Sequence, residues 1–229
     1  MKISILTPTR QRPDNARSFA ESVLATARDP DNIELLFYVD QDDPKLREYS
    51  NWHLVCPKQV HIYIGIPQSI SKSWNVIADR ATGDIFIMGN DDVIYHTPSW
   101  DFILKNRLIK YADEIYLAWF DDGINSENHC AFPMVSRKWY NILGYFTPDT
   151  FEFLCNDSWL YDIGKKLDRL CYISDVYAEH KHFSTSKSKA DQTTIRYRKS
   201  GATRRDLELF NKTVAQRDND VEKLKKYML

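Results

Sequence analysis

The chain has 229 residues, 43% hydrophobic and 13% aromatic, enough to bury one full core with at most a small appendage. Its formal net charge of −1 argues against a protein whose main work is coating nucleic acid. Cys56, Cys130, Cys155 and Cys171 are scattered without a CxxC pair, which excludes a disulfide frame or a cysteine-based zinc site and implies reduced thiols. The opening "MKISILTPTRQRP" has too short an apolar stretch for a signal peptide. No run approaches the ~20 apolar residues that span a bilayer, so a soluble, cytoplasmic protein with no integral membrane segment is expected.

Ile3 to Leu6 form a short apolar run that ends in the turn chemistry of "TPTRQRPDN". Ala16, Phe19, Ala20, Val23, Leu24 and Ala27 then recur at helical spacing, with Pro13 and Asp14 suited to a helix start. "IELLFYV" (33–39) is continuously apolar, as in a strand covered on both faces, and ends at "DQDDP". "HIYIGI" (61–66) predicts another strand. Ile70, Trp74, Ile77, Ala78 and Ala81 predict a helix with Gly83 just past its end, and "DIFIMG" (84–89) predicts a fourth strand running into "NDD". This alternation argues for an α/β fold with an open, mostly parallel sheet and helices on both faces. Ligands in such sheets bind beyond the carboxyl ends of the strands, where "TPTRQRP", "DQDDP" and "NDD" all fall.

The second half is mixed. Thr97 and Pro98 can start a helix reaching about Tyr111, and "IYLAWF" (115–120) reads as a strand ending in "DDG". "SRKWYNILG" reads as a helix closed by Gly144, "NDSWLYDIGKKL" as a second helix, and "CYISDVYAEH" as a strand ending in acid and imidazole. Residues 180–205 are polar and basic, which predicts a mobile loop. Leu207, Phe210, Val214, Val221 and Leu224 predict one amphipathic C-terminal helix.

Several stretches carry chemistry, each with an ordinary alternative. Carboxylates at "GNDD" can hold magnesium or manganese, which prefer oxygen ligands, yet Asn-Asp pairs are also common turn residues. Asp40 in "FYVDQDDP" can accept hydrogen bonds from a nucleobase or ribose, or simply shape a turn ended by Pro44. Thr7, Thr9, Arg10 and Arg12 can line a nucleotide pocket or form a polar capping loop. Asp157, at a helix start among Phe151, Phe153, Leu154 and Trp159, can be a general base or a plain N-cap. His180 and His182 lie two apart, so on a strand they share a side and one can complete a metal site. The basic run from Lys181 to Arg205 suits a diphosphate, a nucleic-acid backbone or a solvated linker.

Taken in order over residues 3–183, "TPTRQRP", "VDQDDP", "SKSWNVIADRATGDIFIMGNDD", "LGYF…FLCNDSWL" and "AEHKHF" resemble the GT-A glycosyltransferases, especially the family 2-like group. The resemblance implies a GT-A domain over 1–183. Its nucleotide-binding half would span about 1–95 and its acceptor half about 96–183, with 184–229 as basic loop and C-terminal helix packed on the same domain. Thr7, Pro8, Thr9 and Arg10 correspond to the family's first-loop contacts, with Arg12 beside them, and Asp40 to the acid that meets the nucleotide base. Asn90, Asp91 and Asp92 take the DxD positions, Asp92 as the direct metal ligand with His180 (or His182) as a second. Asp157 corresponds to the catalytic base of inverting members. The implied activity is metal-dependent, inverting sugar transfer with Mn2+ or Mg2+ from a nucleotide-sugar, a UDP-sugar with uracil as the family-typical base, to an acceptor hydroxyl on a glycan or a hydroxylated DNA base. Asn90 and Asn156 depart from the family's acids. They leave a decayed sugar- or nucleic-acid-binding module as one alternative and a sugar-nucleotide-forming nucleotidyltransferase as another. The latter would need a glycine-rich first loop that "TPTRQRP" lacks. Donor sugar, acceptor identity and oligomeric state are not read from the sequence.

Overall fold

The computed structural model describes residues 1–181 and 201–229. Its strands are β1 Ile3–Thr9, β2 Ile33–Asp40, β3 Val60–Gly65, β4 Ile85–Met88, β5 Val93–Tyr95, β6 Leu117–Asp121, β7 Met134–Ser136 and β8 Leu170–His180. Its helices are α1 Pro13–Thr26, α2 Leu46–His53, α3 Ile70–Ala78, α4 Trp100–Leu108, α5 Arg137–Leu143, α6 Asn156–Lys166, α7 Ala202–Lys212 and α8 Val214–Lys225. The strands form one sheet in the order β3-β2-β1-β4-β7-β6-β8-β5. Strands β1, β2, β3 and β4 pair in parallel, as do β6 and β8. Strand β7 runs antiparallel to both β4 and β6, and β5 runs antiparallel to β8.

The two-residue period of the strands sends side chains to two cores. Ile3, Ile5, Phe37 and Val39 pack with Phe19 and Val23 of α1, Trp52 of α2 and Trp100 of α4. Leu6, Leu36 and Tyr38 pack on the opposite face with Trp74 and Ile77 of α3, Trp139 of α5 and Trp159 of α6. Both faces are therefore covered, as the unbroken apolar run of β2 requires. Among the described residues no helix is long and apolar enough to cross a membrane, and the four cysteines are free thiols.

Several elements differ from the sequence reading, among them the unpredicted strand β5. Helix α2 lies in a stretch to which the sequence reading assigned no element, because only Tyr49 and Trp52 of "LREYSNWH" are buried and two apolar positions make no period. Strand β7 is three residues long and wedges an antiparallel strand into the otherwise parallel order. The C-terminal helix is two helices that meet at Thr213, whose hydroxyl donates to the Leu209 carbonyl at 2.7 Å. Residues 201–205, read as loop, open the first of them, while 182–200 lie outside the described residues.

Glu34 is a buried acid on the second face of β2. It accepts from Ser4 Oγ (2.6 Å), the Thr82 amide (2.6 Å) and Thr82 Oγ1 (2.8 Å), and pairs with Lys2 Nζ at 2.6 Å. Burial alone would raise its pKa, but these partners outweigh it and bring the carboxyl down to about 2. A depressed acid stabilises the fold above its unfolded pKa and loses that contribution as pH falls through the folded one. Acid unfolding followed by circular dichroism should therefore show a loss of about 3 kcal/mol between roughly pH 4.5 and 2, much of it missing in Glu34→Gln.

Candidate active site

The carboxyl ends of β1, β2 and β4 lie side by side, and their loops are knitted together by ion pairs. Gly89 makes this possible: a Cβ there would sit 2.1 Å from Thr7 Oγ1, so only glycine lets the chain leave β4 across β1. Thr7 is fully buried beneath it, and Pro8 is half-buried at the edge. Thr9 Oγ1 donates to Asp91 Oδ2 at 2.6 Å and lies 2.9 Å from the Tyr49 hydroxyl. Arg12 Nη1 reaches Asp91 Oδ1 at 3.0 Å. Asp91 is thus turned into the protein, and burial, with the charge of Asp92 adding, pushes its carboxyl up to about 6 against the pull of Arg12 and Thr9. Its neighbours make it a brace between the first loop and the acidic loop.

Arg10 bridges the next pair of loops. Its Nη1 donates to Asp40 Oδ2 (2.6 Å) and Asp42 Oδ1 (2.5 Å), and these bonds, Asp42 first, raise the guanidinium pKa against the effect of burial. Gln11 follows in the left-handed region at φ 61°, which aims its amide at Asp43 Oδ2, 2.8 Å away. Asp40 therefore stands at the end of β2 with its orientation set by Arg10.

Asp92 points the other way from Asp91. Its Oδ1 lies 3.4 Å from His180 Nε2 at the end of β8, and the Lys181 amide donates to the Asp92 carbonyl at 2.8 Å. Phe132 packs edge-on against the His180 ring with centroids 4.9 Å apart. One carboxylate and one imidazole facing each other are a donor set suited to a divalent cation, which would take its remaining ligands from diphosphate and water. Among the described residues no group of three His, Cys, Asp or Glu side chains forms a closed cation site. Asn90, half-buried, shapes this loop through its carbonyl, which accepts from the Val93 amide at 3.3 Å. His182 lies outside the described residues.

Asp157 sits in the first turn of α6, behind Cys155 at φ 68°. Its Oδ1 accepts from the Ser158 amide at 2.7 Å, and its Oδ2 lies 2.9 Å from His129 Nε2. Beside it Asn156 is buried, accepting from Ser71 Oγ at 2.7 Å and donating to the Phe153 carbonyl at 3.3 Å. The asparagine that departs from the family acid is thus a structural bolt between α3 and α6. Asp122 stands between His180 and the turn after β6: its carbonyl accepts from the His180 amide at 3.0 Å, and its carboxylate accepts from the amides of Ile124, Asn125 and Ser126. That turn leads to His129. Sequence reasoning missed both residues, since Asp122 reads as ordinary turn chemistry and "SENHCAFP" carries no period or motif.

A groove of about 720 Å³ lies elsewhere, between α3, α5 and α8, lined by residues such as Asp79, Tyr140, Tyr145 and Asp220 and by none of the predicted site residues.

No protein-family model matches the sequence, and no curated protein does. Solved structures do match. The mannosyltransferase PcManGT from Pyrobaculum calidifontis, in complex with GDP-Man and Mn2+, aligns over 92% of this chain and 64% of its own, with a TM-score of 0.65 at 13% identity. S. aureus TarS 1–349 in complex with UDP aligns over 78% of this chain and 60% of its own, with a TM-score of 0.59 at 12% identity. The same protein in complex with UDP-GlcNAc aligns over 83% of this chain and 62% of its own, with a TM-score of 0.57 at 14% identity. The chain thus spans less than two thirds of each of these proteins. The likeness is one of fold: with its mixed sheet covered by helices on both faces, the polypeptide has the GT-A fold.

Proposed function

We propose that the chain is a metal-dependent, inverting glycosyltransferase that moves a sugar from a nucleotide-sugar, with uracil the favoured base, to an acceptor hydroxyl. The observation that carries this reading is the Asp92–His180 pair at 3.4 Å, on the edge where this fold takes its ligands. Asp40, oriented by Arg10, meets the nucleotide base or ribose, and the backbone of residues 7–10 and 90 walls the pocket. Asp91, braced by Arg12, keeps the two loops in register. Asp92 and His180 would hold Mn2+ or Mg2+, which when bound neutralises the charge of the departing diphosphate. Asp157 takes the proton of the acceptor hydroxyl, whose oxygen attacks the anomeric carbon from the face opposite the leaving group. The product is therefore inverted.

The acceptor we favour is a glycan hydroxyl. A hydroxylated DNA base is the alternative, but much of the basic run that would support it falls within 182–200, outside the described residues. The reduced thiols suit a cytoplasmic enzyme. A decayed binding module is weakened as a reading by Asn156, whose buried hydrogen bonds give it a structural reason to be an amide.

A panel of UDP- and GDP-sugars screened by thermal shift with and without Mn2+ tests the proposal. A cognate donor at about 100 times its Kd should add about 2.7 kcal/mol of apparent stability, or roughly 5–10 °C in Tm for a chain of this size. The manganese-dependent part should vanish in Asp92→Asn. No manganese-dependent shift with any donor, or an equal one in Asp92→Asn, would refute the reading.

A further inference from the structure

We propose that His129 is the positioning residue of the proton acceptor: hydrogen-bonded to Asp157 Oδ2 at 2.9 Å, it orients that carboxylate and controls its basicity through its own protonation state. This rests on the reading of Asp157 as the base. Both side chains are about one third exposed, at 32% and 30%, so the pair is open to solvent rather than inside the core.

His129 is held from several sides. Helix α6 supplies Asp157, and the Tyr161 ring packs edge-on with centroids 5.4 Å apart. The turn after β6 supplies the charge of Asp122, whose carboxylate is kept ionised by backbone amides despite burial. Next in the chain is Cys130, a buried thiol pushed well above its ordinary pKa, first by burial and then by Asp157 and Asp122. The acids facing His129 favour its protonated form. The bond to Asp157 raises its pKa above the usual 6.5 and outweighs its partial burial.

The consequence for transfer follows from charge. As an imidazolium, His129 neutralises Asp157 and makes it a poor acceptor for the hydroxyl proton. As a neutral imidazole carrying its proton on Nε2, it keeps the same hydrogen bond and orientation without the positive charge, and Asp157 becomes a stronger base. In the transfer step the acceptor O–H bond breaks, its proton passes to Asp157, the oxygen bonds to the anomeric carbon, and the sugar–phosphate bond breaks with its electron pair leaving on the nucleoside diphosphate. The proton then leaves Asp157 for solvent. Activity should therefore rise with pH as His129 loses its proton, above pH 6.5, and not in the range of a lone carboxylate.

The test follows nucleoside diphosphate release from UDP- and GDP-sugars with Mn2+, water serving as acceptor, across pH 4.5–9. Wild type should show an ascending limb of kcat/KM above pH 6.5. In His129→Gln, which keeps an N–H donor that does not titrate, that limb should move down by at least one pH unit, with KM for the donor unchanged. His129→Asn is the second variant, and retention of the manganese-dependent thermal shift shows that either variant is folded. An unshifted limb in both variants, with Asp157→Asn inactive, overturns the role of His129 while leaving Asp157 as base. Full activity in Asp157→Asn, or no release from any donor, overturns the underlying reading and this inference with it.

Discussion

Asp157→Asn should lower transfer by about 10²- to 10⁴-fold, the usual worth of a positioned general base, and should leave donor binding intact. Asparagine has nearly the shape of aspartate and can keep an oxygen toward the Ser158 amide, so helix α6 has little reason to move. What it loses is the ability to take a proton. Its amide can still meet a neutral His129 ring, so the 2.9 Å contact is expected to persist in altered form. The loss should therefore appear in kcat at all accessible pH values, with KM for the nucleotide-sugar changed little, because Asp40, Arg10 and Asp92 lie on other loops. Steady-state kinetics beside the manganese-dependent thermal shift separates the two effects. A variant that binds donor and turns over at the wild-type rate would remove Asp157 from the chemistry.

The second large effect is expected far from the reacting atoms. Asp206 of α7 is 1% exposed, and its carboxylate accepts from the amides of Glu152 (3.0 Å), Phe153 (2.7 Å) and Leu154 (2.7 Å). These residues form the turn that delivers Asn156 and Asp157 to the start of α6. Asp206→Ala would leave those donors without their acceptor, and each unsatisfied buried group costs about 1–3 kcal/mol. A loss on the order of 3–5 kcal/mol is expected, which lowers Tm by roughly 10 °C. The helices themselves should stay docked. Arg217 is buried, donates to Asp162 Oδ2 at 2.6 Å, and lies 4.0 Å from the Phe210 ring centroid and 5.1 Å from that of Trp159. The damage should thus centre on residues 152–157, visible as faster amide exchange there, with kcat falling together with stability. A change below 1 kcal/mol would mean that Ser71 and the Ile70 amide, which bond Phe151 and Glu152 from the α3 side, hold the turn alone.

Both predictions concern residues whose surroundings the sequence showed very unequally. The sheet edge was legible because a strand covered on both faces must be apolar throughout, so "IELLFYV" and "DIFIM" stand out and the polar residues behind them mark where the strands end. Helix α1 was legible from a period that matches its buried Ala16, Phe19, Ala20 and Val23 and from Pro13 at its first turn. Gly144, at φ 79°, closes α5 as expected of a glycine behind "KWYNIL". The charged positions Arg10, Asp40, Asp92 and His180 follow strands of this kind, but their roles came from the resemblance to the GT-A glycosyltransferases; the fold brings Arg10 to Asp40 and Asp92 to His180.

Local pattern determined where strands and helices lie and which loops carry charge, because burial imposes a period on neighbouring residues. Which charges meet was decided only by tertiary structure. Asp91 and Asp92 are adjacent in the chain, yet one turns inward to Thr9 and Arg12 and the other outward to His180. His129 finds Asp157 across 28 residues, and Asp206 finds its turn across 52 to 54. Hydrogen bonds of this kind join single side chains from elements that pack together only after the chain closes, so they leave no period and no motif along the sequence.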